Sequence, residues 1–211
     1  SLIKDKLLGL TKKGVVGYHP TLLPRNRGRH PIIWSLALGL DKTGSTFFKM
    51  DRGADSGDII VQDEVNIEIN DNAEVLYAKL INVAKSQVKI LTNQMISDSN
   101  IFIKQDNNLS NYWRKRGKKD GEINFSFTSL AIFNLVRALS KPYPGAHLYY
   151  NNQEIKVWET KIGDDYSSNI EPGKVLDISS NKNILVKTAD SSIWLIKHEF
   201  IKLPKINSYL L

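Results

Sequence analysis

Met50-Asp51-Arg52-Gly53-Ala54-Asp55-Ser56-Gly57-Asp58-Ile59-Ile60 is a turn-rich, acidic stretch set between two β-forming runs, residues 43–50 and 59–69. Upstream lies a second segment of the same kind. Residues 14–18 read as a short buried strand, and the loop of residues 19–29 after it carries His19, Pro20, Pro24, Arg25, Asn26, Arg27 and Arg29. Loops at strand ends are where α/β proteins usually keep their chemistry. These two offer a histidine, His19, and a carboxylate, Asp55. A carboxylate beside an imidazole can orient it and hold it in the protonation state that proton transfer needs. Taken singly, a His before Pro and an Asp-Ser-Gly-Asp run are ordinary turn material. It is the pair that makes the chain readable as an enzyme.

Working outward, Pro31 opens a helix expected to run to residue 40, since proline suits a first helical turn. Asp71-Asn72-Ala73-Glu74 caps a long amphipathic helix reaching about residue 97, with Val75, Leu76, Leu80, Val83, Val88 and Leu91 as its apolar side. Strand, helix, strand, turn, strand and long helix form an α/β pattern. On the amino-terminal side, residues 2–12 read as a helix with Leu2, Ile3, Leu7, Leu8 and Leu10 on one broad face, stopped by Gly14. The chain starts at Ser1 without an initiator Met or signal peptide. An α/β domain that opens on a helix is expected to lack its first βαβ units.

Residues 97–121 are polar and read as a linker, and residues 125–140 have helical periodicity. From Ala146 the period becomes two, over residues 147–150, 155–162, 173–178, 184–188 and 193–200. Five short strands with turn signals predict a small barrel, the oligonucleotide-binding type among the options, or an open sheet. The expected division is an α/β part over residues 1–110, a linker and helix over 111–145, and a β subdomain over 146–211.

Composition narrows the chemistry. The 211 residues contain 41% apolar residues, enough for a packed core, and no run as long as a membrane span. There is no cysteine, which excludes disulfides, thiolate metal sites and a thiol nucleophile. His19, His30, His147 and His198 lack ligand spacing, so no metal site is expected. The formal charge of +7 draws partly on Arg114-Lys115-Arg116-Gly117-Lys118-Lys119. That run suits a polyanion such as RNA or a nucleotide phosphate, and equally a solvated surface.

His19-Pro20-Thr21-Leu22-Leu23-Pro24, followed by Arg27-Gly28 and Pro31-Ile32, resembles a loop of the formyltransferase family that uses 10-formyltetrahydrofolate. Residues 46–60 are similar to that family's Met-Asp-x-Gly-x-Asp-x-Gly-Asp-Ile segment. Tyr112-Trp113-Arg114-Lys115-Arg116, Asp120-Gly121, residues 134–139 and Pro142-Tyr143-Pro144-Gly145-Ala146 resemble members with a carboxy-terminal β subdomain. The resemblance spans nearly the whole chain. It implies a truncated Rossmann-like formyltransferase domain followed by a small β-barrel-like subdomain. It makes His19 and Asp55 the catalytic pair. An amine attacks the formyl carbon, His19 stabilises the tetrahedral oxyanion, and Asp55 orients His19 and accepts the amine proton. It also places Gly53, Ser56, Gly57 and Asp58 at the folate, with the glycines letting the backbone approach the pterin. Arg25, Asn26, Arg27 and His30 fall at the acceptor.

Two departures stand out. The family has Asn two residues before the catalytic His, where its amide helps hold the oxyanion; this chain has Gly17, with Asn26 and His30 as candidate replacements. The family's first ~80 residues, about half a domain of the usual size, have no counterpart. Two acceptors follow from the resemblance: a nucleotide-linked amino sugar for surface polysaccharide, and methionyl-tRNA. Arg29-His30 is unlike the Arg-Gly-Ala-Ala-Pro loop of the tRNA enzyme, which tilts the reading to the sugar. Trp34, Tyr112 and Trp113 are candidates to stack on a nucleotide base. A cytoplasmic protein off the membrane, with a homodimer possible, is expected. An inactive formyltransferase-like binding module is the reading of a different class.

Overall fold

Strand β3 (Lys42–Lys49) pairs antiparallel with β1 (Val16–His19) on one side and β4 (Ile59–Asn66) on the other. The computed structural model describes residues 5–97, 99, 101–166 and 168–210. They form two compact units, residues 1–35, 40–70 and 75–116 in the first, and residues 36–39, 71–74 and 117–211 in the second. In the first unit, Leu23, Phe48 and Ile59 are buried together with Met50 against them. Helix α1 (Asp5–Leu8) ends before residue 12, and Leu7 and Leu10 are 55% and 70% exposed. Leu2 and Ile3 lie outside the described residues. Helix α2 (Pro31–Ala37) starts where its proline predicts but ends before residue 40, because Gly39 takes a positive φ of 66°.

Helix α3 (Ala73–Ile96) has the expected span. Its inner line is Leu76, Leu80, Gln87 and Leu91, whereas Val75 and Val88 are exposed. Gln87 takes the place that apolar periodicity assigns to Val88, and the reason is hydrogen bonding. Its Oε1 accepts from Ser45 Oγ at 2.6 Å. Its Nε2 donates to Ser45 O at 2.8 Å and to Asp63 Oδ2 at 2.7 Å, which fastens α3 to β3 and β4.

Residues after α3 are built into this unit rather than serving as a free linker. Strand β5 (Tyr112–Trp113) lies parallel to the short β2 (Arg27–Gly28), and Ile103 bridges Ile59. Gly28 makes the β2–β5 approach possible: its φ is 105° and a Cβ there would sit 2.3 Å from Trp113 O.

In the second unit, helix α4 (Ser129–Ala138) is capped by Thr128 Oγ1 and packs on β7 (Gln153–Ile162) and β10 (Ser192–His198). With β6 (Ala146–Tyr150), β8 (Val175–Ile178) and β9 (Ile184–Lys187) these strands make a five-stranded sheet in the order β6-β7-β10-β9-β8. All five expected strands are present. The sheet is open and not barrel-like, because its edges are met by other chain. The Ile123 N–H donates to His147 O beside β6, while Val175 and Asn207–Ser208 exchange backbone bonds beside β8. No helix among the described residues is long and apolar enough to cross a membrane.

Replacing Gln87 by Leu should cost roughly 1–3 kcal/mol, since it strands buried polar groups on β3; urea unfolding at neutral pH measures it. Glu154 sits between Lys118 and Lys156, which bond to its carboxylate and hold its pKa down to about 2. Its folded pKa lies below the unfolded value, so its contribution is present above about pH 4.3 and fades as pH falls towards 2. Glu154→Gln should therefore flatten the acid limb of a stability-versus-pH curve.

Candidate active site

His19 closes β1 opposite Thr46, and residues 51–58 leave the far end of β3, where Lys49 faces Val16. The antiparallel ladder alone does not bring the two loops together; their own folding does. The 19–30 loop is tied to the sheet at its first turn. Thr46 Oγ1 donates to Thr21 O at 2.6 Å and Gln62 Nε2 to Leu23 O at 3.0 Å. Within the loop, Thr21 N donates to His19 O at 2.9 Å and Thr21 Oγ1 to Arg25 O at 3.0 Å. The 51–58 loop closes on itself. Asp51 Oδ1 accepts from Gly53 N at 2.9 Å and Ser56 Oγ at 2.7 Å, and Lys49 N donates to Asp58 O at 2.8 Å.

His19 is buried, at 5% exposure. Its Nε2 lies 2.8 Å from the backbone oxygen of Asn26. A carbonyl only accepts, so Nε2 carries the proton, and in the neutral ring the lone pair is on Nδ1. Nδ1 is 3.7 Å from Asp55 Oδ2, beyond hydrogen-bond range. The hydrogen bond that holds the ring therefore goes to the Asn26 carbonyl, with the Asp55 carboxylate beside it at ion-pair distance. Asp55 Oδ2 accepts from Gly28 N at 2.9 Å, so the carboxylate joins the two loops. Both Asn26 and Asp55 hold positive φ, 63° and 56°.

The remaining expected residues divide by exposure. Arg25 and Arg29 project to solvent, and Asn26 and His30 are half-buried. Arg27 is a correction: it is 2% exposed and its guanidinium is spent on the scaffold. It donates to Gln105 Oε1 at 3.2 and 2.7 Å, to Tyr112 Oη at 2.9 Å and to Asn107 Oδ1 at 3.0 Å. Gly57 is buried, and a Cβ there would lie 1.7 Å from Lys49 O, so its glycine is required for the loop's closure. Gly53 is exposed, with Ser56 and Asp58 half-exposed beside it. Trp34 stacks near Trp113 at 6.4 Å and donates from Nε1 to Arg114 O at 3.0 Å. Arg114 and Arg116 place their guanidinium carbons 5.4 and 4.5 Å from its ring centre. Gln105 and Asn111 hold the site and carry no pattern that sequence reading could detect: each is one amide among many in a polar stretch.

Two family models match the sequence, "Formyl transferase" over residues 1–92 and "Formyl transferase, C-terminal domain" over residues 115–208. The chain belongs to the formyl transferase family. A methionyl-tRNA formyltransferase of Clostridioides difficile (strain 630) is 34% identical over 204 residues, 96% of this chain and 64% of that protein. One from Mycoplasma capricolum is also 34% identical, over 92% of this chain and 62% of its own length. The chain thus spans less than two thirds of these relatives. Among solved structures, WlaRD, a sugar 3N-formyl transferase crystallised with dTDP and 5-N-formyl-THF, superposes with a TM-score of 0.66 at 26% identity. That match covers 85% of this chain and 64% of WlaRD.

Within this member of the family, Gly17 stands at the position where the resemblance expects Asn, and the structure shows what fills the space. A Cβ on Gly17 would lie 2.7 Å from the Phe48 ring and 3.0 Å from Met50 Cγ. Restoring the family residue by Gly17→Asn should destabilise the protein by roughly 1–3 kcal/mol through overpacking. Adding Phe48→Ala should recover part of that loss, which a double-mutant cycle by urea unfolding measures.

Proposed function

We propose that the protein transfers a formyl group from 10-formyltetrahydrofolate to a primary amine, with His19 and Asp55 as the reacting pair. One observation carries this: a buried imidazole with its lone pair left on Nδ1 and a carboxylate 3.7 Å away, in a formyl transferase chain. The donor supplies the formyl carbon, and the exposed rim of the 51–58 loop, Gly53 with Ser56 and Asp58, is the part of this chain suited to lie against it. The amine nitrogen attacks the formyl carbon and the carbonyl electrons move to oxygen. His19 Nδ1 takes the proton that the attacking nitrogen must shed. The resulting imidazolium is flanked by the Asn26 carbonyl and the Asp55 carboxylate, both negative, and it faces the oxyanion. Collapse breaks the carbon–nitrogen bond to the donor, and the same proton passes to the departing nitrogen.

For the acceptor we favour a nucleotide-linked amino sugar. Arg25 and Arg29 stand free of the scaffold at the loop's surface, suited to a diphosphate, and WlaRD acts on a sugar and was crystallised with dTDP. A second reading, methionyl-tRNA, draws on the Clostridioides relative and on the basic run at residues 114–119.

The test is the full-length protein with 10-formyltetrahydrofolate and, in parallel, dTDP-linked amino sugars and methionyl-tRNA, with products read by mass. Formylated sugar alone supports the first reading, and formylated tRNA alone transfers it to the second. A wild type that binds folate yet formylates neither would defeat both acceptors, and one that binds no folate would favour an inactive module. His19→Ala should lower kcat by about 10²–10⁴, the range for a lost general acid–base. Asp55→Asn should lower it by a similar order with the fold intact, since the amide oxygen still accepts from Gly28 N.

A further inference from the structure

Residues 93–114 lie between the two matched family segments, yet side chains from this stretch hold both halves of the pair. Asn111 grips Asn26: the Asn26 N–H donates to Asn111 Oδ1 at 2.7 Å, and Asn111 Nδ2 donates to Asn26 Oδ1 at 3.1 Å. The next peptide is gripped too, with Arg27 N donating to Asn111 O at 3.0 Å. These bonds keep Asn26 at φ 63°, in the left-handed region that L side chains rarely adopt. In that conformation its carbonyl meets His19 Nε2 at 2.8 Å. Gln105 does the same for the other half. Its Nε2 donates to Asp55 O at 2.9 Å and to Gly57 O at 2.6 Å, while its Oε1 is fixed by the Arg27 guanidinium.

We propose that Asn111 and Gln105 are positioning residues: Asn111 sets the tautomer and orientation of the His19 ring through the Asn26 carbonyl, and Gln105 sets the place of Asp55 through its backbone. The proposal rests on the reading of His19 and Asp55 as the reacting pair, but the tautomer is observable without turnover. With the Asn26 carbonyl released, nothing in the loop selects Nε2–H over Nδ1–H, and a ring protonated on Nδ1 has no lone pair to offer there.

The experiment is long-range proton–nitrogen correlation on uniformly ¹⁵N-labelled full-length protein, with the His19 signals assigned by His19→Gln. Wild type is expected in the Nε2–H form. Asn111→Leu, similar in size but without either bond, should mix the tautomers and lower kcat about 10- to 100-fold, the scale of a small misplacement of a reacting group, with KM for the donor changed far less. Asn111→Asp keeps the acceptor for the Asn26 N–H and should keep both the tautomer and most of the activity. Gln105→Leu would leave the Arg27 guanidinium without its acceptor and can fail to fold for that reason alone. Gln105→Glu keeps that acceptor and puts an oxygen in place of the donor to Asp55 and Gly57, and should lower kcat on the same scale with the His19 tautomer unchanged.

Two results would overturn the proposal: a wild-type ring protonated on Nδ1, or an Asn111→Leu protein that loses thermal stability while its His19 signals stay as in wild type. If Asn111→Leu mixes the tautomers but wild type formylates no amine, the positioning of the ring stands and the formyl-transfer reading falls.

Discussion

The arrangement of the first unit depends on a buried guanidinium held by neutral side-chain acceptors. Arg27 is 2% exposed and donates to the amide oxygens of Gln105 and Asn107 and to the Tyr112 hydroxyl. A charge taken out of water needs acceptors on every donor, or the desolvation cost is unrecovered. Neutral acceptors take four bonds here, at least one from each guanidinium nitrogen, and the choice has a consequence. A carboxylate at position 105 would satisfy Arg27 but could not donate onward. The amide does both, accepting from Arg27 at one end and donating to the Asp55 and Gly57 carbonyls at the other. One side chain therefore ties together the 19–30 loop, the 51–58 loop and the chain after α3. The contact joins residues 78 apart in sequence, so the site forms only when the whole unit is folded.

This explains which parts were legible in the sequence and which were not. The five carboxy-terminal strands, α4 and the span of α3 follow from alternation and periodicity, because burial there falls on apolar side chains. Where burial falls on polar groups the pattern misleads. Gln87 lies inside and Val88 outside, since three hydrogen bonds to β3 and β4 outweigh one apolar side chain. Residues 97–121 look like a linker because their amides and hydroxyls have no period, although those same groups are the acceptors that Arg27 requires. For the same reason Arg27 looks like an acceptor-binding residue beside Arg25, and only burial separates the two. The two-residue pairing of β2 with β5 is too short to leave a pattern. His19 and Asp55 were legible because both lie in motif-rich turns. The agent that orients His19 was not, since it is a backbone carbonyl.

That carbonyl bears on the loss of an amide at Gly17. Phe48 and Met50 occupy the volume a side chain at position 17 would need, so no side chain at that position can reach towards a developing oxyanion. Asn26 does not replace it by its side chain, which is engaged with Asn111. Its contribution is instead electrostatic and indirect. A carbonyl on Nε2–H and a carboxylate near Nδ1 both turn oxygens towards a ring that is shielded from solvent. Charge that an amide dipole would have balanced can then be balanced by the imidazolium formed when the amine proton moves. On the proposed mechanism the proton transfer and the oxyanion stabilisation are one event at one residue, and the apolar packing of Phe48 and Met50 against Gly17 is compatible with catalysis because His19, two residues on, supplies the polarity it displaces.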